Sequence, residues 1–173
     1  MPDAPPDPSP AAPRLRPNVC VVLTDAERAR VLVFRRVDGL LGEHRWQFPQ
    51  GGLRRGESPE DGLRRELREE VGTDAVEVLA RLPAPIAYAF PPEVRARLHR
   101  EQPDKSGYDG QAQTWFLARL TEGEGAIHFR HQPPEFDAYE WVTPAEALAR
   151  VVPFKRAAYR QALAAFGLWH EPA

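Results

Sequence analysis

The segment from Gly51 to Thr73, GGLRRGESPEDGLRRELREEVGT, constrains this chain more than any other because a loop and a helix of defined length are both written into it. Ser58 is suited to be an N-cap, Pro59 to the first helical position, and Asp61 to the place of a capping-box acid. A helix is therefore expected to start here, with Gly72 as its C-terminal stop. Leu63, Leu67 and Val71 recur every four residues as an apolar stripe, while Glu66, Glu69 and Glu70, at i, i+3 and i+4, share another face. Three carboxylates within one turn repel, so their pKa values should rise or the helix end should loosen unless a partner is present. A divalent cation removes the conflict. Oxygen-only ligands are hard and favour Mg2+ or Mn2+ over zinc, with substrate phosphates and waters completing the shell.

A solvated, ion-paired helix would share some of these features, since Glu60 with Arg64, Asp61 with Arg65 and Arg65 with Glu69 are spaced i, i+4. Ion pairing does not require Gly51 and Glu57 upstream, however. Seven positions, Gly51, Glu57, Arg65, Glu66, Glu69, Glu70 and Gly72, each matched by chance at roughly 0.1, give on the order of 10^-7 per window.

At these residues the segment resembles the Nudix box, G-x5-E-x7-R-E-U-x-E-E-x-G-U, where U is aliphatic. Every named position matches except the last, where Thr73 stands in place of an aliphatic residue; its β-branched shape should keep the packing nearly unchanged. The resemblance implies an α/β fold, the Nudix α/β/α sandwich with a mixed sheet between helices. It also implies hydrolysis of a nucleoside diphosphate linked to a further group, with Mg2+ or Mn2+ held by Glu66, Glu69 and Glu70. Glu57 would be a supporting acid and Arg65 would orient the carboxylates.

The remaining composition fits one domain, 16–173, behind a Pro-rich tail, 1–15. Seven prolines and few apolar side chains between Met1 and Pro17 leave too little to bury for that stretch to order itself. The tail has neither the basic start nor the apolar core of a signal peptide, and no run in the chain is long enough to cross a bilayer. Cys20, in the apolar run Val19 to Leu23, reads as a buried strand residue in a reducing cytoplasm. His128 and His131 lack a third ligand for zinc, and Gly51, Gly52 and Gly56 lack the Lys-Ser/Thr of a P-loop.

Strand patterns are expected at Asn18 to Thr24 and Arg30 to Arg36, as a hairpin, and at Val76 to Leu82, Gln113 to Leu120, Ala126 to Arg130 and Tyr139 to Val142. Thr143-Pro144-Ala145-Glu146 is a second capping box opening a short helix, and a longer helix should run from about Pro153 to Phe166 before Gly167. The polar stretch Glu101 to Asp109 suits a flap over a substrate or a long solvated loop.

Outside the box, Arg16-Pro17-Asn18, Trp46 to Gln50, Gly110 to Leu117, Pro134 to Asp137 and Val152 to Arg156 resemble one branch of the family. That branch holds bacterial RNA pyrophosphohydrolases and asymmetric dinucleoside polyphosphate hydrolases. It implies that Glu135 is a further acid for metal binding and water activation, alongside Glu57 and Glu69. Arginines surrounding the box suit phosphate oxygens. Arg16, Arg36, Arg45, Gly51, Gly52, Phe154 and Lys155 are therefore expected to hold the substrate, Phe154 as a stacking ring beside a charge. A net charge of −2 gives no global pull on nucleic acid, so recognition should concern a phosphorylated end rather than a duplex. The leading expectation is removal of pyrophosphate from triphosphate-ended RNA; the second is asymmetric cleavage of diadenosine tetraphosphate. A silent binding module is the third, and the full set of box glutamates argues against it. Whether a protein activator exists is not legible from these residues.

Overall fold

The computed structural model describes residues 12–102 and 107–170. Its elements run β1 (Leu15–Thr24), β2 (Val31–Arg36), β3 (Trp46–Gln47), β4 (Gln50–Gly52), α1 (Pro59–Glu66), β5 (Val76–Arg81), β6 (Ile86–Ala89), α2 (Pro92–Glu101), β7 (Gly110–Leu120), β8 (Phe136–Val142), α3 (Pro144–Arg150) and α4 (Arg156–Ala165). A single mixed sheet of eight strands lies between α1 on one side and α3 with α4 on the other.

Alternation along β1 explains the layering. Val19, Val21 and Leu23 join the cluster containing Leu63, Leu67 and Val71, while Cys20 and Val22 join Ala158, Tyr159, Ala162 and Leu163 of α4. Successive side chains point to opposite faces, and a strand covered on both reads as a continuous apolar run. Leu63, Leu67 and Val71 are almost wholly buried, each burial stabilising the fold by about 1.5–3 kcal/mol.

The two longest strands, β1 and β7, pair in parallel from Leu15 opposite Gly110 to Leu23 opposite Ala118. Along its other edge β1 changes partner. Its first half pairs antiparallel with β4, Asn18 opposite Gly52 and Cys20 opposite Gln50, and its last residues pair with β2 in the expected hairpin. The sheet therefore opens between β4 and β2, and this opening holds the site described below.

Three expectations need correction or extension. Leu15 to Pro17 belong to β1, so a boundary at residue 15 cuts a strand; Arg14 and Asp109 exchange backbone and side-chain hydrogen bonds that tie its start. The rest of the Pro-rich tail, 1–11, lies outside the described residues. Ala126 to Arg130 is not a strand. A short 3-10 turn, Glu124–Ala126, is followed by an extended segment whose Ile127 and Phe129 pack on the core and whose His128 N–H bonds the Val71 carbonyl. Alternation there serves packing, with no neighbouring strand to pair. The sequence reading also missed β6 and α2. The stretch Glu101 to Asp109 begins on the last residue of α2, and 103–106 lie outside the described residues.

Both N-caps form, but only the second closes as a full capping box. Ser58 Oγ accepts from the Asp61 N–H and donates to the Asp61 carboxylate, whereas Thr143 and Glu146 cap each other reciprocally. After Glu66, however, the helix widens into a π-helical turn, Leu67–Val71, closed by the Gly72 N–H bonding the Leu67 carbonyl, with Gly72 at φ 92°. Thr73 is buried, and its hydroxyl accepts from the Ala75 N–H to turn the chain into β5. Among the described residues no helix is long and apolar enough to cross a membrane.

Candidate active site

The loop between β4 and α1 is shaped around a half-buried guanidinium. Arg65 donates from Nε and Nη2 to the two oxygens of Glu57, at 2.7 and 2.8 Å, from Nη1 to Glu66 at 2.5 Å, and from Nη2 to the Gly52 carbonyl at 2.9 Å. This fork fixes loop, helix and strand together. Glu57 also accepts from the Arg54 N–H, and its bond to Arg65 leads in holding its pKa down to about 2. Charged groups lie over both glycines of β4, so a side chain at either position would have to displace them. A Cβ on Gly51 would stand 1.8 Å from the Glu66 carboxyl carbon, and one on Gly52 2.0 Å from Arg16 Nη2.

The π-helical turn separates the three box carboxylates. Glu66 and Glu70 line a cavity with Glu135, whereas Glu69 sits on the outer side, paired with Arg54 at 3.3 Å and Arg65 at 3.4 Å. A single face for all three was expected from regular α-helical spacing; the wider turn rotates Glu69 away. Glu70 is buried and accepts from the Gln50 N–H at 2.9 Å. Burial pushes its pKa well above the usual carboxylate range, with Glu135 and Glu66 adding repulsion. Burial also raises Glu66, against the pull of Arg65.

Cations line the same cavity: Arg16 from β1, Arg36 from the end of β2, and Lys155 just before α4. Arg36 donates to Glu135 at 2.5 Å and to Asp38 at 2.8 and 2.9 Å; burial opposes its charge, but these ion pairs outweigh it and raise its pKa. Burial lowers Lys155 to about 8, with Arg36 adding to the effect, and its ammonium donates to Gln47 Oε1 at 3.2 Å. Next to this cavity a pocket carries Tyr88, Phe90, Phe154 and Gln47, and shares Arg16, Arg36, Glu135 and Lys155 with it. Arg45 lines neither; its backbone bonds Arg36, and it bridges to Val151.

Sequence reasoning did not single out the amide network beneath the cavity. Gln113 Nε2 donates to Asn18 at 2.9 Å and Gln50 at 2.6 Å, Gln50 donates to Gln47 at 3.0 Å, and Tyr88 donates to Gln111 at 2.6 Å. Asn18, Gln47 and Gln113 are almost wholly buried. Amides in the middle of apolar strands were the available signal, because a buried amide needs partners.

The residues suit a divalent cation. Glu66, Glu70 and Glu135 are hard oxygen donors, and the pKa values of the first two are raised by burial first and by neighbouring carboxylates second, both of them costs that such an ion relieves. Among the described residues no three such side chains close on one point by themselves. Mg2+ ordinarily takes one or two carboxylates and completes its shell with waters and substrate phosphates, so this spread matches a site finished by its substrate.

Residues 14–162 match the family model described as the NUDIX domain. An RNA pyrophosphohydrolase of Helicobacter pylori is 39% identical over 156 residues, covering 88% of this chain and 94% of that one. An RNA pyrophosphohydrolase of Saccharophagus degradans is 44% identical over 151 residues, covering 86% and 83%. Among solved structures, the E. coli dihydroneopterin triphosphate pyrophosphohydrolase superposes with a TM-score of 0.61 at 22% identity, covering 86% of this chain and 96% of the other, a likeness of fold.

Proposed function

The chain belongs to the Nudix family, and from that premise we propose that it removes pyrophosphate from the 5′-triphosphate end of RNA with Mg2+ or Mn2+. Nudix hydrolases generally use divalent metal ions, and this chain is a pyrophosphohydrolase of that family. One observation carries the reading: Glu66, Glu70 and Glu135 share a cavity with Arg16, Arg36 and Lys155, beside a pocket lined by Tyr88, Phe90 and Phe154. Metal-binding carboxylates, phosphate-neutralising cations and aromatic faces are what a nucleotide polyphosphate requires together. The two relatives of 39% and 44% identity are RNA pyrophosphohydrolases, which favours an RNA end over a dinucleotide.

In this reading Glu66, Glu70 and Glu135 would hold the metal, and Glu69 would join them only by leaving Arg54 and Arg65. When bound, the metal polarises the phosphoanhydride and lowers the pKa of a water. Arg16, Arg36 and Lys155 neutralise the polyphosphate and set it in line for attack. Arg65 keeps Glu66 in place through a fork anchored on Glu57 and Gly52. The water oxygen joins phosphorus, the P–O–P bridge breaks, and RNA with a 5′-monophosphate leaves with pyrophosphate. Of Glu57, Glu69 and Glu135, the first two are tied to arginines outside the cavity, so Glu135 is the one suited to take the water's proton. Phe154 stacks a base beside Lys155. An RNA end as substrate supports a cytoplasmic site of action.

A competition assay with Mg2+ or Mn2+ tests this, offering triphosphate-ended RNA and diadenosine tetraphosphate together. RNA should be consumed first. Rapid turnover of the dinucleotide with RNA untouched would make the enzyme a dinucleoside polyphosphate hydrolase instead.

A further inference from the structure

The pocket beside the carboxylates has a neighbour on the far side of Phe154. This is a groove of about 450 Å3 walled by Pro91, Val94, Arg97, Arg100, Val152 and Phe154. Val94, Arg97, Val152 and Phe154 line both spaces, so the two adjoin across these side chains. Its volume falls in the roughly 300–1,000 Å3 range of small-ligand sites.

Helix α2 forms one wall of each space, and its spacing explains how. Leu98 and Glu101 line the inner pocket, whereas Glu93 and Arg100, at i and i+7, line the outer groove. Val94 and Arg97, at i and i+3, stand between the two faces and line both. No residue of α2 is buried, so packing does not account for an arginine at these positions. Among the described residues Arg97 has one acidic neighbour within 4.0 Å, Glu101 one turn along the helix, a distance at which the pairing is weak. An apolar floor with a ring and two guanidiniums along one side is the composition of single-strand nucleic acid grooves, where bases rest on apolar faces and arginines follow the phosphates.

We propose that α2 carries the downstream part of the substrate track: the RNA nucleotides after the triphosphate-bearing one lie in this outer groove, their phosphates against Arg97 and Arg100. This rests on the RNA reading above and adds a reason for it. A mononucleotide fills only the inner pocket, whereas an RNA strand engages α2 as well. Strand length then becomes a determinant of specificity, read by a helix remote from the cleaved bond. Glu93, on the same groove, weakens the track by repulsion.

The test uses the full-length enzyme with Arg97→Ala/Arg100→Ala, Arg97→Lys/Arg100→Lys and Glu93→Gln, each checked for an unchanged melting temperature. KM for short triphosphate-ended RNA should rise roughly five- to tenfold in the alanine variant, with kcat within about twofold, as expected when binding contacts away from the reacting bond are lost. KM for ATP and diadenosine tetraphosphate should stay unchanged. The lysine variant should recover much of the RNA affinity, and Glu93→Gln should tighten it. Binding of 5′-monophosphate RNA, followed by fluorescence anisotropy, should lose about 1.4 units of its log–log salt slope, at roughly 0.7 per phosphate contact on a single strand. Equal changes in KM for RNA and ATP, or no change for either, would overturn the track while leaving the RNA reading intact. Wild-type enzyme inactive on RNA would overturn both.

Discussion

The carboxylate of Glu66 occupies the space that any side chain at position 51 would need, 1.8 Å from where a Gly51 Cβ would stand. A glycine in β4 and a glutamate at the end of α1 are thereby one functional unit. Gly51→Ala should displace the Glu66 carboxylate by about an ångström and lower kcat on the order of 10^2-fold, the usual cost of that misplacement. Steady-state kinetics beside a thermal melt would check this; the expected pattern is a large loss of turnover with the transition still cooperative. Near-normal turnover would show that the strand and helix shift freely and that Gly51 does not set the carboxylate.

Removing the guanidinium at the centre of the box should damage stability as well as catalysis. Arg65, Glu57 and Glu66 have side chains only 11%, 13% and 12% exposed. Arg65→Met leaves two enclosed carboxylates without their partner, a change expected to cost about 3–5 kcal/mol in urea denaturation. The pH dependence carries a sign. Glu57 is held at about 2 instead of 4.5, so its contribution is complete above pH 4.5 and is lost as pH falls toward 2. The wild type should weaken through that window, and the variant, already lacking the interaction, should show less of the slope.

Glu70 should act in the opposite direction. Its folded pKa is raised, so the ionised form costs stability above that pKa, and the cost fades as pH falls toward the ordinary value of 4.5. In the presence of a chelator the protein should therefore melt higher as pH is lowered from neutral toward about 5, and Glu70→Gln should flatten this trend. A saturating divalent cation should flatten it too, by holding the carboxylate ionised. An unchanged slope in Glu70→Gln would assign the trend to other groups.

On the proposed reading, Lys155 should set an alkaline limit on substrate capture. Burial, followed by the charge of Arg36, brings it to about 8, so its positive charge is present below that pH and lost above it. The kcat/KM profile, which reports the free enzyme, should fall above pH 8. Lys155→Met should have KM raised by about tenfold, the loss of one charge-assisted phosphate contact, and should lack that limb. A limb that persists in the variant would belong to another group.

Much of the helix could be read from local chemistry: Ser58 and Thr143 cap, Leu63, Leu67 and Val71 pack, and Gly72 ends the segment. The division of labour among the glutamates could not, because α-helical spacing puts Glu66, Glu69 and Glu70 on one face and only the π-helical turn sends Glu69 outward to Arg54. Arg45 looked as eligible as Arg36, yet only Arg36 reaches the cavity from the end of β2. Asn18, Gln47, Gln50 and Gln113 come from β1, β3, β4 and β7, and nothing in their local sequence announces that they meet.

By itself, then, the sequence determined the capped helix and its cluster of carboxylates, since caps, helical periodicity and spacing act over distances of a few residues, and its match to the Nudix box carried the reaction chemistry. The tertiary structure decided which charges face one another. Glu135 meets Arg36 and Lys155 meets Gln47 only because distant strands pair, β1 exchanging β4 for β2 along its edge and β2 in turn taking β3 and β8. Contacts between residues a hundred positions apart depend on that pairing, and no local preference encodes it.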